Sequence, residues 1–138
     1  MRLVLDACVG VSALLPEEHS EKSAVLLLDY QNQVHELIAP DTFPVEVAHA
    51  LTRAERKGFI KSPESVRLLG LLGDLLPQLC DSLPLLTRAT EISSATRHGV
   101  YDCLYLALSE REGCDLVTSD EKLIKYFPNA NIIHIKDL

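Results

Sequence analysis

The chain has 138 residues, of which 47% are hydrophobic and 24% charged, and this composition excludes a disordered or fibrous protein. With a formal net charge of −7, the protein lacks the general attraction for phosphate that a basic nucleic-acid-binding protein uses. No apolar run reaches the roughly 18–20 residues of a membrane span, and Asp6 interrupts the first apolar run too early for a signal peptide. The four cysteines form no C-x-x-C pair, which predicts free thiols in the cytoplasm.

Apolar runs and helix signals predict short strands that alternate with helices. In chain order these are a strand at 2–5, a helix at 17–33, a strand at 36–39, helices at 44–57 and 62–76, a strand at 78–82, helices at 85–97 and 101–112, a strand at 115–118, a helix at 120–126 and a strand at 132–135. Ser62 is expected to cap its helix, ahead of Pro63 in the first turn. The alternation predicts an α/β fold, a three-layer α/β/α sandwich with a mainly parallel central sheet, in a single domain spanning residues 1–138.

Four acidic residues stand beside the predicted strands in a way that would bring them to one edge of the sheet. Asp6 directly follows the first strand, and Asp120 follows the strand at 115–118 by two residues. Glu46 lies in the first turn of the helix after the second strand, and Asp102 in the first turn of the helix before the fourth. Ligands of parallel α/β sheets bind beyond the carboxyl ends of the strands, so this edge is the candidate site.

Asp102 is the most informative of these acids because the helix around it has almost no polar side. A buried carboxylate is costly without a partner, and no Lys or Arg lies within one turn of it in sequence. Carboxylates that converge without basic partners repel each other, and Mg²⁺ or Mn²⁺ would relieve the repulsion. Metal-assisted attack of water on a phosphodiester is the chemistry that suits this set best, although the spacing alone does not fix the reaction.

The same acids also have a structural interpretation. Asp and Glu are common in the first turn of a helix, where they bond free N–H groups and favour the positive end of the helix dipole. Taken singly, Glu46, Asp102 and Asp120 are more often caps than catalysts. Asp41 lies at the same edge and is an alternative to Glu46 as a ligand.

Four segments, at 3–9, 43–51, 101–108 and 116–121, together resemble the PIN-domain family, and in particular the small VapC-like toxins of toxin–antitoxin pairs. The resemblance covers essentially the whole chain. It implies a metal-dependent endoribonuclease on a parallel α/β/α sandwich, usually a homodimer, that acts on RNA and is held inactive by a cognate antitoxin. It also implies that Asp6, Glu46, Asp102 and Asp120 form the acidic quartet, which favours Glu46 over Asp41.

The mechanism that we expect from this quartet divides it into two roles. Asp6, Asp102 and Asp120 would bind one or two Mg²⁺ or Mn²⁺ ions, and Glu46 would bind the second ion or orient the attacking water. The hydroxyls of Thr118 and Ser119 would orient Asp120 or a metal-bound water.

One position departs from the family pattern. Cys8 stands where such proteins usually have Ser, Thr or Asn to support the first acid, and a thiol is a poorer hydrogen-bond partner.

Candidate RNA contacts lie on the helix that carries Glu46. Arg53 and Lys57 fall within about 20° of Glu46 around the helix axis, so a phosphate backbone could run past all three. An ordinary solvated helix face explains the two basic residues equally well. Tyr101 and Tyr105 are interpreted as packing residues rather than as platforms for bases.

Two further features of the sequence have more than one interpretation. His98 is expected to have a surface or capping role, since no matching set of metal ligands accompanies it. Most leucines of the helix at 62–76 are expected to lie in the core, and its surplus apolar face would suit a dimer contact or an antitoxin helix. The rival function is a catalytically silent PIN-like module that binds RNA or protein, and the presence of all four acids counts against it.

Overall fold

A computed structural model describes all residues from Met1 to Leu138. The elements in chain order are β1 (Arg2–Leu5), α1 (Ala7–Leu14), α2 (Ser20–Gln31), β2 (Glu36–Pro40), α3 (Phe43–Arg56), α4 (Glu64–Leu72), β3 (Gln78–Cys80), α5 (Leu86–Thr96), α6 (Val100–Glu112), β4 (Asp115–Thr118), α7 (Glu121–Tyr126) and β5 (Ile132–His134). Short 3-10 turns lie at 73–75, 83–85 and 135–137. None of the helices combines the length and the apolar character that a membrane crossing requires.

The five strands form one sheet in the order β3-β2-β1-β4-β5, and every neighbouring pair is parallel. In the centre, Leu3 of β1 pairs with Leu37 of β2 on one side and with Asp115 of β4 on the other. The chain moves from β1 outward through β2 and β3, and then crosses to β4 and β5 on the opposite side. The strand order therefore reverses between β1 and β4, and the crevice at such a point is where open parallel sheets bind ligands.

Both faces of this sheet are covered. Leu3–Leu5 in β1 and Leu37–Ala39 in β2 have no exposed surface, although successive side chains of a strand point to opposite faces. The helices that provide the cover form two groups, because α1 contacts α2, α3 and α4, whereas α6 contacts α5 and the strands β1, β2 and β4. The predicted fold class, a three-layer α/β/α sandwich with a parallel central sheet, is confirmed.

Helix α1 has no counterpart among the predicted elements. Its sequence, Ala7–Leu14, is apolar on nearly all sides, so it lacks the one-sided pattern by which a surface helix is recognised. Gly10 lets this helix pack closely on α3, because a Cβ atom at Gly10 would come within 2.9 Å of the Phe43 ring. Helix α1 therefore begins directly after β1 and packs closely against α3.

Helix α4 begins and ends differently from the prediction. It runs over Glu64–Leu72 instead of 62–76, and its last predicted turn is a 3-10 turn at 73–75. The prediction that Ser62 caps the helix is wrong, since the Glu55 carboxylate of α3 accepts a hydrogen bond from the Ser65 backbone N–H at 2.9 Å instead. The other predicted elements are all present, and their ends lie within three residues of the predicted ones.

Candidate active site at the carboxyl edge of the sheet

A cavity of about 640 Å³ lies beyond the carboxyl ends of β1 and β4, beside the N-terminal turns of α1, α3 and α6. All four predicted acidic residues line it, namely Asp6, Glu46, Asp102 and Asp120. They come from four separate segments of the chain, and no Lys or Arg side chain joins them in the lining. The parallel topology thus brings the predicted residues to one place.

Asp6 is the innermost of the four acids and is buried. It lies between β1 and α1, where the Thr118 hydroxyl donates to its Oδ2 at 2.7 Å and the Cys8 thiol donates to the same oxygen at 3.1 Å. Burial raises the pKa of Asp6 above its usual value; the two hydrogen bonds oppose this shift, and the negative charge of Asp102 adds to it. Asp6 therefore holds its negative charge less readily than an exposed aspartate.

Cys8 occupies the supporting position that the resemblance assigns to a polar side chain. Besides its bond to Asp6, its Sγ accepts a hydrogen bond from the Ser119 backbone N–H at 3.3 Å and lies 3.3 Å from the Thr118 hydroxyl. Burial, and then the charge of Asp6, raise the pKa of the Cys8 thiol, so it stays protonated and able to donate. The thiol therefore takes part in the same network that a hydroxyl would join.

Thr118 connects two of the acids. Its hydroxyl donates to Asp6 and accepts from the backbone N–H of Asp120 at 3.0 Å, and the residue is fully buried at the end of β4. Ser119 contributes its backbone N–H to Cys8. Thr118 is therefore placed to orient both Asp6 and the turn that carries Asp120.

Glu46 lies in the first turn of α3 and is partly buried. Its Oε2 accepts two hydrogen bonds, one from the Tyr105 hydroxyl at 2.7 Å and one from the Thr42 hydroxyl at 3.0 Å. Burial raises the pKa of Glu46; these two bonds oppose the shift, and the charges of Asp6 and Asp102 add to it. The sequence contained a local signal for Thr42, four residues before Glu46, but none for Tyr105.

Asp102 is more exposed than its apolar helix suggested. Its side chain lies in the first turn of α6 and is 37% exposed, so the expectation of a deeply buried carboxylate is wrong. Its partner is His98, whose Nε2 lies 2.7 Å from Asp102 Oδ2 and whose ring packs edge-on against Phe127. His98 precedes the helix by two residues, so helical periodicity gave no indication of this contact.

Asp120 is the one acid for which the capping interpretation is correct. It is the N-cap of α7, and its Oδ1 accepts hydrogen bonds from the backbone N–H groups of Lys122 at 2.9 Å and Leu123 at 3.4 Å. Its other oxygen, Oδ2, accepts no hydrogen bond from the protein and belongs to a residue that lines the cavity. Capping and a functional role are therefore compatible for this residue.

The remaining predicted residues lie around the cavity or outside it. Asp41 is exposed and does not line the cavity, whereas Glu46 does. Arg53 on α3 and Lys57, directly after the helix, are exposed and lie outside the lining. Tyr105 is only 1% exposed, as expected of a packing residue. That interpretation is wrong for Tyr101, which is 60% exposed and lines the cavity next to Asp102.

The donor set of the cavity fits a hard divalent cation. No group of three or more His, Cys, Asp or Glu side chains is arranged to hold a metal ion as the chain stands. Mg²⁺ does not require such a group, because it usually keeps several water ligands and binds one or two carboxylates. Four carboxylates line the cavity without a Lys or Arg side chain, and a divalent cation would offset their repulsion.

The sequence profile of the PIN domain matches residues 3–127 of this chain. A relative, Ribonuclease VapC3 of Pyrobaculum aerophilum, is 32% identical over 130 residues, which cover 93% of this chain and 96% of that protein. The chain therefore belongs to the PIN domain family, and the resemblance seen in the sequence is confirmed.

Two solved structures share the fold at lower sequence identity. PAE2754 from Pyrobaculum aerophilum superposes with a TM-score of 0.72 at 20% identity, over 99% of this chain and 93% of that one. A chain of VapBC2 from Rickettsia felis, in a crystal structure with a DNA fragment from its promoter, superposes with a TM-score of 0.69 at 17% identity, over 97% of this chain and 98% of that one. Both confirm the fold along nearly the whole length.

Proposed function

We propose that this protein is an endoribonuclease that hydrolyses RNA phosphodiester bonds with Mg²⁺ or Mn²⁺, and that it is the toxin of a toxin–antitoxin pair. The observation that carries the proposal is the cavity in which Asp6, Glu46, Asp102 and Asp120 meet without a Lys or Arg side chain in the lining. Membership of the PIN domain family and similarity to Ribonuclease VapC3 support the class of reaction.

In this mechanism Asp6, Asp102 and Asp120 would hold one or two ions, and Glu46 would hold the second ion or orient the attacking water. A divalent cation held there would supply a lower pKa for the attacking water and positive charge to offset the negative charge of the transition state. The surrounding residues keep the carboxylates in place. Thr118 fixes Asp6, and partners of this kind orient the groups that act on a metal ion.

The proposed path of RNA follows α3 and the mouth of the cavity. Arg53 lies two turns after Glu46 on the same side of the helix, and Lys57 continues that line one turn further, so both can contact phosphates. Tyr101 is exposed at the mouth beside Asp102, where its ring can stack on an unpaired base. The proposed substrate is therefore single-stranded RNA.

The proposed partners are a cognate antitoxin and a second copy of this chain. Exposed apolar side chains that support such contacts are Phe59, between α3 and α4, and Val66 and Leu71 on α4. We place the protein in the cytoplasm, a reducing compartment, because its four cysteines are all free. Light scattering on the purified protein, alone and with the antitoxin, measures both associations.

The central test is the replacement Asp6→Asn, which keeps the shape of the side chain and removes its charge. Changes to residues that only support metal ligands cost about 10- to 100-fold, so loss of a ligand should reduce RNA cleavage by more than about 100-fold. Asp41→Asn is the matched control, because Asp41 is exposed and outside the cavity. Full cleavage by Asp6→Asn would refute the assignment. A wild-type protein that binds RNA but not Mn²⁺ in a calorimetric titration would be a silent binding module.

A further inference from the structure

The two oxygens of the Glu46 carboxylate have different surroundings. Oε2 accepts hydrogen bonds from the Tyr105 hydroxyl at 2.7 Å and from the Thr42 hydroxyl at 3.0 Å. These donors come from different parts of the chain, since Thr42 immediately precedes α3 and Tyr105 lies 59 residues beyond Glu46 on α6. Oε1 accepts no hydrogen bond from the protein. One oxygen is therefore occupied and the other is available.

Tyr105 is buried in the core, and its hydroxyl is bound to Glu46. The side chain is 1% exposed in the core, where an apolar residue would avoid the cost of burying a hydroxyl. The only hydrogen bond of this hydroxyl is to Glu46. Burial, and then the charge of Glu46, raise the pKa of Tyr105, so the phenol remains protonated and donates.

Thr42 supports the same interpretation from the other side. It stands at the N-cap position of α3, where a threonine hydroxyl usually accepts a hydrogen bond from the start of the helix. Here the hydroxyl makes no such cap and donates to Glu46 instead. Two hydroxyls are thus directed at one carboxylate oxygen at the edge of the cavity.

We propose that Tyr105 and Thr42 are positioning residues that hold Glu46 by its Oε2, so that Glu46 acts on the metal ion or the attacking water through Oε1 alone. This inference rests on the proposed function, in which Glu46 is one of the working acids. Asp102 and Tyr105 are three residues apart on α6 and therefore share a side of that helix. Helix α6 therefore carries Asp102 and also positions Glu46 through the Tyr105 hydroxyl.

The test compares Tyr105→Phe and Thr42→Val, which remove only the hydroxyl or replace it with a methyl group. We expect each variant to lower kcat for RNA cleavage by about 10-fold or more and to weaken Mn²⁺ binding in a titration without RNA, while the KM for RNA stays unchanged. Tyr30→Phe is the matched control, since Tyr30 is a partly buried tyrosine of α2 outside the cavity. A thermal melt of each variant reports whether the fold is intact.

A double-mutant cycle separates positioning from a structural role. If Tyr105 acts through Glu46, then Tyr105→Phe lowers kcat in the wild type but not in a Glu46→Gln background. Equal losses in both backgrounds would overturn the inference, and so would wild-type kcat and Mn²⁺ binding in Tyr105→Phe. If Tyr105→Phe does not fold, Thr42→Val decides by the same criteria, because it leaves the core untouched.

The result also distinguishes this inference from the proposed function. Full cleavage by both Asp6→Asn and Glu46→Gln would refute the nuclease assignment itself. Loss of cleavage in Glu46→Gln, together with wild-type behaviour of Tyr105→Phe and Thr42→Val, would refute only the positioning role.

Discussion

Replacing Thr118 by valine tests the hydrogen-bond network beneath the acids. Valine keeps the shape of the buried side chain and removes a hydroxyl that donates to Asp6 and accepts from the backbone N–H of Asp120. A hydrogen bond to a charged group contributes about 1.5–3 kcal/mol, and a buried N–H left without a partner costs about 1–3 kcal/mol. Asp120 is only partly buried, so the loss of a partner for its N–H group should cost less than it would in the core. We therefore expect the free energy of unfolding to fall by about 2–4 kcal/mol.

The same substitution should impair catalysis, since the Thr118 hydroxyl lowers the pKa of Asp6 and its loss raises that pKa further. Urea denaturation followed by circular dichroism, at pH 7 without metal, measures the stability. Each kcal/mol should also lower Tm by roughly 3–5 °C in a domain of this size. RNA cleavage across a range of Mn²⁺ concentrations measures the functional effect, and we expect the variant to need more Mn²⁺.

Thr118→Ser is the control, because serine keeps the hydroxyl and loses one methyl group, which costs about 1 kcal/mol in a core. We expect Thr118→Ser to cleave RNA nearly as well as the wild type. A Thr118→Val protein that is as stable as the wild type and cleaves at the same rate would show that the network contributes to neither property.

Three further predictions follow from the charges and exposure of the site. Without metal, the free energy of unfolding should fall as the pH rises above about 4. Burial raises the native pKa values of Asp6 and Glu46 above their unfolded values, so the native state binds more protons than the unfolded chain above this pH. Added Mn²⁺ should reverse this loss in urea titrations at pH 7. Charge reversal at Arg53 and Lys57 should weaken RNA binding and flatten its dependence on salt. Tyr101→Ala should weaken binding of single-stranded RNA by about 1–3 kcal/mol and leave Mn²⁺ affinity unchanged.

Each of these predictions has a control within the chain. The pH effect is read as the difference between the wild type and Asp6→Asn, because exposed ion pairs elsewhere, such as Arg88 with Glu110, contribute to both proteins equally. A difference that grows in favour of the wild type as the pH rises would contradict the prediction. Arg56→Glu, on another side of α3, should leave RNA binding closer to the wild type than the double reversal does. Tyr101→Phe should bind RNA like the wild type, since the ring is retained.

The local pattern of the sequence predicted the layered architecture, apart from α1, and the meeting of the acids at one edge of the sheet. Buried parallel strands appear in the sequence as short apolar runs, and surface helices such as α3 have one apolar side. Both kinds of element could therefore be recognised from the sequence. Because parallel strands end at the same edge, the positions of Asp6 and Asp120 after their strands already implied a shared site. Glu46 and Asp102 followed from the adjoining helices.

The partners of those acids depended on folding. Helix α1 was not predicted because a helix that is apolar on nearly all sides shows no periodic pattern of hydrophobic residues. Thr118 reaches Asp6 across 112 residues and Tyr105 reaches Glu46 across 59, and no local pattern encodes a hydrogen bond between residues so far apart in the chain. The exposure of Tyr101 likewise follows from how α6 packs, since the residues from Cys103 to Ser109 further along the same helix are buried. The acidic residues of the site could thus be identified from their positions beside the predicted strands and helices. The contacts that hold Asp6 through Thr118 and Glu46 through Tyr105 form only when the chain folds, because they join residues that are far apart in sequence.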